Sequence, residues 1–161
     1  MDASRRDEWA AALAEHVAAV EAGQARLGGV LGEKRRALID GDAARIEALC
    51  REETGLADAF GELASARHAM LRDAAAEGLR PASLAELAGL VGVPEELAAR
   101  IEAARSDAAR LQGLNATQRL VAQRASRHYA ELVDLIANAG RKAEAYGQKE
   151  ATGGGLLDAA A

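Results

Sequence analysis

The chain has 161 residues, enough for one domain with a core and short for two, and its aromatic residues are only Trp9, Phe60, Tyr129 and Tyr146. Half of it is apolar, 28% is charged and only positions 81 and 94 are proline, which selects closely packed, alanine-lined helices over a turn-rich β fold. The net charge of −5 excludes a strong field for nucleic acid or an anionic membrane, and a lone Cys50 excludes an internal disulfide and fits a reducing compartment.

The opening "MDASRRDEWAAALAEH" carries acids and no continuous apolar core, so it does not read as a signal peptide. No run approaches the roughly 20 apolar residues needed to span a bilayer, and the cytoplasm is the expected location. From Leu13 a seam follows in steps of four and three through Val17, Val20, Gln24, Leu27, Leu31, Lys34 and Leu38, as in a coiled coil. Gly28 and Gly29 weaken it, and a bend or a close helix crossing is expected there. In "IDGDAARIEAL", Gly41 suits a left-handed helix stop and Asp42 an N-cap, so the first two helices form an antiparallel hairpin.

The second helix repeats the pattern through Ile46, Leu49, Glu53, Leu56, Phe60, Leu63, Arg67 and Met70, and ends near Gly78 and Pro81. Ser83 with Glu86 forms a capping-box pattern for a short helix, and Pro94 opens the last helix. That helix has an unbroken seam from Leu97 and Ile101 through Leu111, Asn115, Gln118, Tyr129, Leu132 and Ile136 to Tyr146. A second stripe through Leu114, Gln118, Val121, Ala125, His128, Leu132 and Leu135 would let it touch two neighbours. The predicted fold is therefore all-α, an antiparallel bundle or coiled coil of three long helices plus one short helix over residues 1–147. Residues 148–161, which include Gly153 to Gly155, read as a flexible tail.

Helices of roughly 35, 35 and 50 residues would measure about 50, 50 and 75 Å. The last one, parallel to the first, then outruns the hairpin unless the bundle is staggered or the helix turns back at Gly140. Its uncovered part contains Leu132, Val133, Leu135 and Ile136, flanked by Tyr129 and Tyr146, and these six residues are the candidate partner-binding surface. Self-association through the same patch is the rival use. Asn115 and Gln118 fall beside the hairpin and read as a polar layer that sets register, with Gln24, Lys34 and Glu53 as candidate partners.

Chemistry-bearing patterns are missing. His16, His68 and His128 sit on three different helices without a second histidine or cysteine at metal-ligand spacing, and Cys50 reads as a small packing residue. The triple glycine lacks the Lys and Ser/Thr of a phosphate loop. Arg100, Arg105 and Arg110, interleaved with acids, read as a solvated face. The segment "SLAELAGLVGVPEELAARIEAA" has the outline of a helix-turn-helix, but its second helix lacks residues aimed at base edges. No catalytic residue, metal, cofactor or nucleic-acid partner is expected, and the residues by themselves fit a non-enzymatic coiled-coil adaptor or a structural, self-associating helical module.

Four features together resemble the FlgN family of flagellar export chaperones. They are the Gly-Asp turn in "DGDAARIEAL", the Leu-Asn motif "LNATQRL" from Leu114 to Leu120, the Tyr146–Gly147 pair, and the Leu-Asp-x-x-Ala element from Leu157 to Ala161. Gln118 stands where the family usually has a second Asn, and Val121 where leucine is common. The resemblance implies a cytosolic chaperone that keeps hook-associated flagellar proteins soluble and delivers them to the type III export gate or its ATPase complex. It also implies substrate binding by the C-terminal segment, the part that helix lengths leave uncovered.

Overall fold

The computed structural model of the protein describes residues 2–152, with side chains as far as residue 136. Among these residues are four helices and no strand: α1 (Ala3–Asp40), α2 (Ala43–Ala76), α3 (Leu84–Val91) and α4 (Glu95–Thr152). The helical bundle read from the sequence is the fold observed. The chain divides into two units, Met1–Gln118 and Arg119–Ala161.

Local chemistry explains where the helices of the first unit start and stop. The Asp2 carboxylate accepts from the Arg5 N–H at 2.7 Å and that of Asp42 from the Arg45 N–H at 2.9 Å, each capping one of the donors a helix start leaves free. Gly41 adopts the left-handed conformation at φ 70°, and its N–H returns to the Ala37 carbonyl, so α1 closes and α2 opens within two residues. Ser83 caps α3 by accepting from the Glu86 N–H at 3.1 Å, while Glu86 reaches back to the Ala82 N–H at 2.7 Å. This is a capping box displaced by one residue from its usual backbone partner. Gly92, at φ 74°, ends α3, and Pro94 accepts the first α4 hydrogen bonds from Leu97 and Ala98.

Contacts set the helix directions. Early α1 meets late α2 where Arg5 and Trp9 donate to the Glu77 carboxylate, while late α1 meets early α2 in the Lys34–Glu53 pair at 2.6 Å. The hairpin is antiparallel. Glu21 meets Arg100, Gln24 Nε2 donates to the Ala104 carbonyl, and Gln118 Nε2 donates to the Leu31 carbonyl, so within the first unit α4 runs parallel to α1.

Two apolar clusters hold this unit. The larger gathers Trp9, Leu13, Val17, Ala74, Leu87, Ala88, Val91, Leu97 and Ile101, and therefore joins all four helices where α3 packs. The smaller consists of Val30, Ala37, Leu49 and Leu56, where α1 and α2 pack on each other. Each fully buried leucine contributes about 1.5 to 3 kcal/mol from burial alone.

Several expectations need correction. Helix α1 is continuous through Gly28 and Gly29, and an added Cβ at Gly28 would sit 3.8 Å from the Leu111 side chain of α4; the tighter approach is at Gly23, 3.1 Å from the Phe60 ring. Cys50 is exposed rather than packed, because the α2 stripe turns Leu49 inward in its place. In the second stripe of α4 Gln118 is partly buried against α1, but Leu114 is 44% and Val121 53% exposed and do not pack. With α1 and α2 already packed on each other through the smaller cluster, one α4 stripe serves this end of the first unit.

Candidate partner-binding surface

The polar layer comes first in chain order. Gln118 places its amide nitrogen 2.6 Å from the Leu31 carbonyl, a tie from α4 to α1. The expected side-chain partners are committed elsewhere, Gln24 to the Ala104 carbonyl and Lys34 and Glu53 to each other. Asn115 Oδ1 and Gln118 Oε1 are consequently buried without a hydrogen-bond donor. A buried oxygen that no donor reaches costs on the order of 1 to 3 kcal/mol, set against the hydrogen bond that Gln118 gains from its nitrogen. The Lys34 ammonium loses some basicity to burial, but the hydrogen bond and charge of Glu53 outweigh that and leave its pKa raised.

The second unit begins at Arg119, and its described side chains belong to one stretch of α4. At 100° per residue, Tyr129, Leu132, Val133 and Ile136 occupy the i, i+3, i+4 and i+7 positions of one face, with Leu135 about 60° outside it on the side of Glu131. Arg127, Glu131 and Asp134 occupy the opposite face. An amphipathic helix of this kind normally buries its apolar side, yet Leu132 is 39%, Val133 64%, Leu135 65%, Tyr129 69% and Ile136 73% exposed. Val121 continues the face toward the N-terminal end, a position the sequence reading placed in a packing stripe rather than on the candidate surface. The same periodicity would have identified it. Tyr146 lies outside the described side chains, and Gly153–Ala161 outside the described residues altogether. Helix α4 itself extends to Thr152, through the start of the segment read as tail.

The arrangement offers shape and apolar area rather than reactive groups. Among the described residues no cluster of His, Cys, Asp or Glu could hold a metal ion, and no helix is long and apolar enough to cross a membrane.

Fold and surface together define a class, the long-helix bundles with coiled-coil seams. Within that class the chain belongs to the FlgN family, whose model, described as FlgN protein, matches residues 1–153. Membership makes it a flagellar export chaperone in general terms. Neither curated proteins nor solved structures gave a match.

Proposed function

We propose that this chaperone acts in the cytoplasm on hook-associated flagellar proteins, packing an amphipathic segment of the client against Tyr129, Leu132, Val133, Leu135 and Ile136. Tyr146 extends that surface in this reading. The observation that carries it is the exposure of four aliphatic side chains within five residues of one helix, with Tyr129 one turn earlier. Exposed apolar faces of this kind are binding surfaces when they are contiguous. A client helix supplies the missing half of the interface, as in other helix-in-groove recognition, and its own apolar face is shielded until it is handed to the export gate or the ATPase complex. Binding and release of a helix need neither a nucleotide nor a metal on the chaperone.

Leu132→Asp with Ile136→Asp should abolish co-purification with hook-associated protein while leaving helicity and melting of the first unit nearly unchanged. Undiminished co-purification would remove the surface from this role. The same bare face supports one rival, pairing between two copies of the chain. Light scattering across a concentration series separates the two, because only self-association gives a mass that rises with concentration and falls back in the double variant.

A further inference from the structure

Within the first unit, α1, α2, the start of α3 and α4 line a half-open cavity of about 560 Å³. Its volume is typical of ligand pockets, which span roughly 300 to 1,000 Å³. Val17, Val20, Leu71 and Ile101 supply much of the apolar wall. The titratable and charged groups facing it are His16 from α1, Arg67 from α2 and Arg105 from α4, while α3 contributes Ser83 and no charge. No carboxylate lines it. In a chain of net charge −5, this is a locally positive, apolar-walled hollow.

Its cations are available. Arg67 forms no ion pair among the described residues, and its one polar side-chain contact is 3.5 Å to the neighbouring His68 ring. Arg105 has only Glu102, one turn away on its own exposed helix face at 3.4 Å, a solvated pairing of little net value that leaves the guanidinium open to a second anion. The nearest acid of α3, Glu86, is engaged with the Ala82 N–H in the capping box. Burial, and then the charge of Arg67, hold the His16 imidazole below its ordinary value, so it is neutral at pH 7 and does not add to the local repulsion.

We infer that this cavity is a second docking site, taking an acidic–apolar peptide segment of a client protein. Aliphatic client side chains lie against Val17, Val20, Leu71 and Ile101, and a client carboxylate meets Arg67 and Arg105. That the ligand is a peptide rests on the chaperone reading above; the site itself rests on the cavity and its charges.

The probe is a short capped peptide of leucine and alanine carrying one glutamate, titrated into the full chain and followed by NMR at His16 and Ala104. Saturable shifts at both are expected, with the His16 titration midpoint moving upward because a bound carboxylate offsets Arg67. The glutamine counterpart of the peptide should bind at least about tenfold more weakly, the value of one charge-assisted hydrogen bond. Arg67→Glu should lose binding and Arg67→Lys should retain part of it; because Arg67 is exposed, helicity and melting should not change. Equal binding of the two peptides, or undiminished binding to Arg67→Glu, overturns the proposal. So does dodecanoate shifting His16 where the peptide does not, since that outcome makes the site one for a free fatty acid. Leu132→Asp with Ile136→Asp separates the two readings. Peptide binding lost there but kept in Arg67→Glu refutes the cavity alone, whereas hook-associated protein still captured by the double variant refutes the α4 face alone.

Discussion

Helix α4 carries one seam and two fates. In the first unit its Leu97, Ile101 and Leu111 are 8%, 7% and 3% exposed, whereas in the second Tyr129, Leu132 and Ile136, in the same heptad phase, are 69%, 39% and 73% exposed. Composition and period are alike on both sides of Gln118. The difference is that the first unit supplies α1, α2 and α3 as cover, and the described residues of the second supply none. Amphipathicity states that a helix has a face to bury; it does not state against what. Where the described residues provide the partner the result is stability, and where they do not the face stays exposed.

Substitutions at equivalent depths of the pattern should therefore have opposite consequences. Leu13→Ala, at a position with 0% exposure in the cluster joining all four helices, should cost about 2 to 5 kcal/mol in urea unfolding. The double aspartate change at Leu132 and Ile136 should leave that transition within about 0.5 kcal/mol, as surface changes do, and act on client capture instead. Equal destabilisation by both would erase the distinction between the two regions.

The polar layer at the end of the first unit sharpens the boundary. Asn115→Leu should raise stability by about 1 kcal/mol, because it removes a buried oxygen that accepts no hydrogen bond. If the layer sets helix register, the same variant should broaden the amide NMR spectrum or change the oligomeric state, and an unchanged spectrum and mass would count against that role. A smaller gain, about 0.5 to 1 kcal/mol, is expected for Gly29→Ala, since the position is helical and nothing lies within 4 Å of an added Cβ. Gly23→Ala should gain less, with the Phe60 ring in the way.

The smallest effect is one of pH. His16 has a lower pKa folded than unfolded, from burial first and Arg67 second, so the unfolded chain binds more protons once the pH drops below about 6.5. Stability should then fall as the pH is lowered through that region and be flat above it. His16→Gln should remove this slope, and a slope that persists would assign it to another group.

Much of the architecture was legible because its signals are local. The Gly41–Asp42 turn and the Ser83–Glu86 cap depend on neighbours within four residues, and each stands where the sequence placed it. Long-range choices were not legible. The partners of Asn115 and Gln118 were expected from side chains of matching polarity, but Lys34 and Glu53 are opposite in charge and satisfy each other first. The cavity was invisible for the same reason. His16, Arg67 and Arg105 are far apart in the chain and look like ordinary surface or seam residues until three helices bring them to the lining of one cavity.

By itself, then, the sequence determined an all-helical chain, the turn and caps between its first helices, its antiparallel hairpin and the motifs of the FlgN family, because periodicity and capping act over one or two turns. Only the tertiary structure decided which apolar stripes are covered, which polar groups are paired, and where positive charge gathers. Those outcomes depend on competition among surfaces distant in the chain.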